Sequence, residues 1–157
     1  PRPSSTPGPS PTPIFATEAD ALAAATDAYA AYVRVSDQIL MDGGADPDRL
    51  RAVADGEQLT ANVEAFKEAA EKGYRSTGGT TFDSVLLQQV DQNSKAAVVV
   101  YLCEDVSAVD VVDASNHSVV SPSRPDRVGY EATFSRSSKS AAGLVLIDKQ
   151  PWPGLSC

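Results

Sequence analysis

The stretch KAAVVVYLCEDVSAVDVVD, residues 95–113, decides the fold of this chain. Its first part, residues 97–102, is a short apolar run rich in β-branched side chains. Such a run predicts a strand that is largely buried on both faces in the middle of a sheet. An alternating run of Val and Asp follows and predicts a second strand. Cys103 lies in the first strand, and the other cysteine, Cys157, is the last residue of the chain.

Two cysteines leave two interpretations open. A cysteine in a buried strand is commonly a small, inert hydrophobe. A thiol at an exposed chain end is a liability, however, and a bond between Cys103 and Cys157 would remove it. That bond would stabilise the fold by roughly 4 kcal/mol. We therefore expect the disulfide, and with it an extracytoplasmic location.

Length and charge exclude several classes of protein. The 157 residues suffice for one compact domain but not for two. The formal net charge of −8 argues against a nucleic-acid partner, since binding phosphates requires clustered Lys and Arg. No apolar stretch approaches the roughly 20 residues of a membrane helix. Because the chain begins without Met or a signal peptide, we expect a processed or trimmed product.

The chain begins with a low-complexity segment, PRPSSTPGPSPTP. It has too little apolar surface to offset the entropy of ordering, and its prolines favour an extended spacer. We predict a disordered Pro/Ser/Thr-rich linker over residues 1–15 and one domain over residues 16–157. The prolines come near the Pro-x-x-Pro spacing of docking motifs, but a spacer is favoured because the segment has a single Arg and no aromatic residue.

Three helices are predicted in the first half of the domain. Thr17 is a suitable N-cap for a helix of about 24 residues that ends at Gly43-Gly44. Asp46-Pro47 predicts a short second helix with Asp46 as its cap. A third helix is expected over residues 57–72. Its apolar face is predicted to comprise Leu59, Val63, Phe66 and Ala70.

The second half of the domain changes to strand periodicity. Strands are expected over residues 80–91, through the central run, and over 108–113, 127–136 and 143–149. Helices followed by strands indicate the α+β class. We predict three N-terminal helices packed on the concave face of a strongly curved, mainly antiparallel sheet.

The order of these elements and several local strings resemble the NTF2-like superfamily of cystatin-like α+β cones. The resemblance is to its secreted or lipid-anchored domains, which are common in actinobacteria. It is carried by the Ala-rich helix of residues 18–40, DPDRLRAVADGEQL (46–59), AAVVVYLCEDVS (96–107) and the terminal WPGLSC (152–157).

The resemblance implies a compartment and an architecture. It implies a bond between the strand cysteine, Cys103, and the terminal Cys157. It also implies an upstream lipid-modified cysteine, which would be the only membrane attachment. Sheets of this superfamily often form homodimers. Its enzymes typically place a His–Asp or Tyr–Asp set inside the cone.

The sequence offers little that marks a reaction. His117 is the only histidine and falls in a predicted turn, so we expect no catalytic role for it. One histidine and two bonded cysteines cannot form a His/Cys metal cluster. The acidic group at the strand ends lacks a calcium-loop pattern, and we predict solvated side chains there. That group comprises Glu104, Asp105, Asp110 and Asp113. No cofactor or metal is predicted.

A cone closed by helices can hold a small apolar ligand. The aromatic side chains expected to line such a pocket are Tyr29, Tyr32, Phe66, Tyr101 and Tyr130. We favour a non-catalytic, extracytoplasmic envelope domain that binds a protein partner or a small apolar ligand. The alternatives are an enzyme of the SnoaL or ketosteroid-isomerase kind and a structural module that forms homodimers.

Overall fold

The structure, a computed structural model, describes residues 15–157. The predicted linker therefore lies outside the described residues apart from Phe15. The carbonyl oxygen of Phe15 accepts a hydrogen bond from Gln92 Nε2 at 3.4 Å. None of the helices in the described part is long and apolar enough to span a membrane.

The helices begin and end at the local signals that the sequence carries. The Thr17 hydroxyl accepts the backbone N–H of Asp20 at 3.1 Å and so caps the first helix. Asp55 caps the third helix, which ends at Gly73 in the left-handed region. The helices are α1 (Glu18–Met41), a 3-10 helix (Pro47–Ala52) and α2 (Gly56–Lys72).

Two details of the helices differ from prediction. Asp46 makes no side-chain cap and itself adopts a left-handed conformation (φ 47°), because the chain turns sharply before Pro47. On α2, Ala69 is buried and Ala70 is exposed. Ala69 follows Phe66 by three residues, so both lie on the face that meets the core.

The strands form a four-stranded antiparallel sheet and a separate two-stranded ribbon. The order in the sheet is β2-β3-β5-β6, so the central run does occupy an interior strand, β3. β1 pairs with β4 in the ribbon, and β1 is absent from the predicted strands. The strands are β1 (Arg75–Thr77), β2 (Thr81–Val90), β3 (Val98–Asp105), β4 (Asp110–Val112), β5 (Arg127–Arg136) and β6 (Leu144–Pro151). The predicted α+β cone is confirmed.

The core lies between the helices and one face of the sheet. On β3, Val98, Val100 and Leu102 are fully buried, whereas the intervening Val99 and Tyr101 are only half-buried. Apart from Cys103, which is 1% exposed on the opposite side, the strand is thus fully buried only on the side that faces the helices. We call this side the inner face and the opposite side the outer face.

The C-terminal segment crosses the outer face. Trp152 N–H donates to the Gly129 carbonyl at 2.8 Å, and the Trp152 ring stacks on Tyr101 with centroids 5.0 Å apart. Cys157 then bonds Cys103 on β3, which confirms the predicted disulfide. We call residues 152–157 the C-terminal strap.

Gly44 lets the end of α1 approach α2 closely. Its φ is 79°, and a Cβ added there would lie 2.2 Å from the Phe66 carbonyl oxygen. Gly44→Ala is therefore expected to lower the free energy of unfolding by about 2 to 4 kcal/mol, through backbone strain and overpacking. Urea denaturation measures this loss.

Gly143→Ala is the matched control for that substitution. Gly143 has a φ of 75°, but a Cβ there meets no heavy atom within 4 Å. It should cost only the backbone strain, about 1 to 2 kcal/mol. Equal losses in the two variants would show that the approach of Gly44 to Phe66 is not tight.

Candidate functional site

A charged residue from each of two strands points into the cone. The alternation of β3 places Glu104 on the same face as Leu102, so the carboxylate is directed inward at the end of the apolar run. On β6, Lys149 pairs with the fully buried Ala132 and also points inward. Tyr29, fully buried on α1, contacts both side chains from the helix side of the sheet.

These three side chains form a buried ion pair with a hydroxyl donor. Lys149 Nζ lies 2.8 Å from Oε2 and 3.0 Å from Oε1 of Glu104. The Tyr29 hydroxyl donates to Glu104 Oε2. The side chains of Lys149 and Glu104 are only 14% and 11% exposed. Burying a charge is costly unless it is paired and hydrogen-bonded, and this arrangement meets both conditions.

Three tyrosine rings surround the ammonium group. Lys149 Nζ is 4.1 Å from the ring centroid of Tyr130, 5.8 Å from that of Tyr29 and 6.0 Å from that of Tyr32. The faces of these rings carry negative potential and attract the cation. We call Tyr29, Tyr32, Glu104, Tyr130 and Lys149 the cone cluster.

A second polar chain ties the cone cluster to α2. The Tyr32 hydroxyl donates to Asn62 Oδ1 at 3.0 Å, and Gln58 Nε2 donates to the same oxygen at 2.7 Å. Asn62 and Gln58 lie one turn apart on α2. They fix the orientation of Tyr32 relative to the helix that covers the sheet.

Burial and the nearby carboxylate both disfavour ionised tyrosine. They raise the pKa of Tyr29 well above its usual value, with burial as the larger cause and Glu104 as the second. The same two causes raise the pKa of Tyr32 to about 12 and also raise the pKa of Tyr130. The three hydroxyls therefore remain protonated well into the alkaline range.

The stability of the domain is expected to fall between pH 10 and about pH 12. Because the folded-state pKa of Tyr32 is raised from 10.0 to about 12, the unfolded chain loses this proton first. Unfolding is then favoured by at most about 1.4 kcal/mol per pH unit for each such tyrosine. Below pH 10 the contribution is fully present.

Urea denaturation from pH 8 to pH 11.5 measures this dependence. Tyr32→Phe should be less stable at pH 8, because Asn62 loses a partner, but should show a shallower decline above pH 10. Tyr74→Phe changes a tyrosine outside the cone cluster and serves as the control. A decline in Tyr32→Phe as steep as in the unmodified chain contradicts the expectation.

The residues predicted to line a pocket divide into three groups. Tyr29, Tyr32 and Tyr130 surround Lys149. Phe66 is buried in the hydrophobic core on α2. Tyr101 lies on the outer face against Trp152, so the structure does not bring it together with the other tyrosines.

Glu104 corrects a prediction. The sequence groups it with Asp105, Asp110 and Asp113 as a solvated acidic set, but only 9% of the residue is exposed. The pattern contained the signal, because Glu104 follows Leu102 by two residues and must share its inward face. His117 lies in the predicted turn, with its side chain 81% exposed.

The arrangement limits what the carboxylate can do. Its two oxygens accept three hydrogen bonds, from Tyr29 and Lys149, and the surrounding cone is filled by fully buried side chains such as Leu102 and Phe134. A groove of about 500 Å³ lies elsewhere, between α1 and the start of β2, with Val33, Asp37 and Phe82 in its lining. No residue of the cone cluster lines that groove.

Solved structures resemble the fold at low sequence identity. The intermembrane-space region of the chloroplast protein ARC6 matches with a TM-score of 0.59 and 14% identity, over 83% of this chain and 95% of that one. Aln2 from a Streptomyces species matches with a TM-score of 0.49 and 19% identity, over 91% of each chain. No family model and no curated protein matched the sequence. The likeness to ARC6 supports the α+β fold alone.

Proposed function

We propose that this chain is a non-catalytic, extracytoplasmic NTF2-like domain of a cell-envelope lipoprotein. In this role it binds a protein partner or a small apolar ligand. The observation that carries the proposal is the filled cone. Its inward carboxylate, Glu104, is neutralised by Lys149 and hydrogen-bonded by Tyr29, so the usual place for a substrate is occupied by the chain itself.

The disulfide supports the compartment. Bonds of this kind persist where the environment is oxidising and are rare in the cytosol. The Pro-rich residues 1–15 would act as the tether between the domain and an upstream lipid-modified cysteine. Such a tether holds a binding domain away from the membrane.

Thiol blocking tests the compartment. Protein from its source cells is alkylated without reduction and then weighed by mass spectrometry. We expect both Cys103 and Cys157 to be protected and a lipidated cysteine to precede Pro1. Two alkylated thiols would overturn the extracytoplasmic assignment, and an upstream sequence without a cysteine would overturn the anchor.

The second candidate is an acid–base enzyme of the SnoaL or ketosteroid-isomerase kind. It is favoured by the hydrogen bond between Tyr29 and Glu104, which joins a hydroxyl and a carboxylate inside the cone. Deuterium uptake at the α-carbon of a cyclic enone in D₂O tests it. If the protein catalyses uptake and Glu104→Gln abolishes it, the chain is an enzyme and the first proposal is wrong. Equal rates of uptake with and without protein support the non-catalytic proposal.

The third candidate is a structural role through homodimers. Leu86 and Trp152, which are 53% and 39% exposed, flank Tyr101 on the outer face and form a small apolar surface. Light scattering at high protein concentration tests this role. A dimer that Leu86→Lys converts to a monomer supports it, and a monomeric unmodified chain contradicts it.

A further inference from the structure

A groove with basic residues in its lining lies at the end of the sheet where a hairpin connects β2 to β3. Its volume is about 260 Å³, and it lies between the β2–β3 hairpin and the end of β5. No acidic side chain lines it, although the chain as a whole has a formal charge of −8. The lining residues are Asn93, Ser94, Lys95, Ser135 and Arg136.

The two cations of this groove are free to bind a ligand. Neither Lys95 nor Arg136 has an ion-pair partner within residues 15–157, in contrast to Arg127, which bonds both Asp83 and Asp105. Lys95 and Arg136 are both exposed. The nearby Asp91 carboxylate accepts the backbone N–H of Asn93 at 3.0 Å and does not line the groove.

Neutral donors complete the lining. Ser94 Oγ accepts the backbone N–H of Ala96 at 3.2 Å, which leaves its hydroxyl proton available to a ligand. Asn93 contributes an amide group. Ser135 is only 9% exposed and its hydroxyl already donates to the Arg136 carbonyl oxygen at 3.5 Å, so Ser135 forms part of the wall. A guanidinium, an ammonium and short neutral donors are the groups that bind phosphate oxygens in proteins.

We infer that this groove is a binding site for a phosphate group, contacted by Lys95 and Arg136 and completed by Asn93 and Ser94. The phosphate can belong to a free anion or to the headgroup of an anionic lipid. The groove lies beside the point where the chain enters the domain, since Gln92 in the same hairpin bonds Phe15. A domain tethered through residues 1–15 would therefore present this end to the membrane.

Two titrations of the full chain test the inference and separate the two sources. In the first, inorganic phosphate is added in a phosphate-free buffer and amide chemical shifts are followed by NMR. In the second, the protein is co-sedimented with phosphatidylglycerol vesicles and with phosphatidylcholine vesicles. We expect shifts at residues 93–95 and 135–136, or sedimentation with the anionic vesicles only.

The double variant Lys95→Gln/Arg136→Gln should raise the dissociation constant at least about tenfold, because it removes charge-assisted hydrogen bonds. The control is Arg34→Gln/Lys67→Gln, which removes the same charge from two exposed residues outside the groove. It should leave binding unchanged. If the double variant does not fold, Lys95→Gln alone in the hairpin is measured.

Binding in either titration that the groove variant weakens and the control does not supports the inference. The titration that responds then identifies the source of the phosphate. Equal weakening in both variants would show an effect of overall charge and would overturn the site, as would the absence of binding in both titrations. The phosphate arm is independent of the envelope location proposed above, and only the vesicle arm relies on it.

Discussion

Replacing Lys149 with Met is expected to lower the free energy of unfolding by about 3 to 5 kcal/mol. The Glu104 carboxylate would stay in the cone with Tyr29 as its remaining partner, and an uncompensated buried charge is strongly destabilising. Met keeps a side chain of similar length against the Tyr130 ring, so the loss reports charge rather than packing. Urea denaturation at pH 7 with linear extrapolation measures it.

An exposed pair in the same chain is the matched control. Lys72 and Glu68 form an ion pair along α2, with side chains 51% and 63% exposed. Lys72→Met should change the free energy of unfolding by no more than about 0.5 kcal/mol, because water solvates the carboxylate left behind.

A double variant separates the charge from its surroundings. Lys149→Met combined with Glu104→Gln removes both charges and keeps an acceptor for the Tyr29 hydroxyl. Most of the stability should return, because a neutral pair avoids the cost of burying ions. If Lys149→Met is no more harmful than Lys72→Met, water must reach Glu104. The cone would then be open, and the acid–base candidate would gain support.

Where a local signal exists, the sequence is enough to predict the element. Thr17 is followed by acidic residues in the first turn and begins α1, and Gly43-Gly44 follows its end. The alternation of Tyr130, Ala132 and Phe134 is typical of a strand, and β5 has the predicted bounds of residues 127–136. Ala132 and Phe134 are fully buried, whereas Thr133 between them is only half-buried. These elements depend on neighbours within a few residues.

The cone cluster depends on residues far apart in the chain, and most of it could not be predicted. Glu104 could have been placed inward from its spacing to Leu102. Its partner could not, because an irregularity in the β5–β6 pairing, between Thr133 and Phe134, sets which residues of β6 face the cone. The sequence of β6 alone does not reveal that shift.

The strand β1 could not be predicted for a related reason. Its three residues, Arg75–Thr77, carry no period-two pattern long enough to recognise. They form a strand because β4, more than thirty residues further on, pairs with them. Ser76, between two exposed neighbours, is buried by that pairing. Tertiary context decides the conformation here.

The C-terminal strap is held by more than its disulfide. Besides the bond to Cys103, the carbonyl oxygen of Cys157 accepts a hydrogen bond from Arg127 Nε at 3.0 Å. Leu155 packs against Gly129, where an added Cβ would lie 3.0 Å from the Leu155 Cβ. The covalent bond is nevertheless the contact that shortens the unfolded chain, since it joins residues 54 positions apart.

Replacing both cysteines with Ser is expected to lower the free energy of unfolding by about 4 kcal/mol without abolishing the fold. The main cause is the unfolded state, which gains conformational freedom when a closed loop of this length is opened. The core between α1 and the inner face of the sheet is untouched. Urea denaturation of Cys103→Ser/Cys157→Ser under oxidising conditions measures the difference.

A reducing agent supplies the matched control for this double variant. Once the disulfide is reduced, the unmodified chain should differ from the variant by less than about 1 kcal/mol, because Ser and a free Cys are similar in size. Trp152 is the only tryptophan and reports on the strap through its stacking on Tyr101. Its fluorescence should shift to the red in the native baseline of the variant if the bond holds the strap in place.

An unchanged spectrum together with a full loss of stability would show that the bond acts on the unfolded chain alone, with Arg127 and Gly129 sufficient to hold the strap. Unchanged stability under oxidising conditions would contradict the prediction altogether.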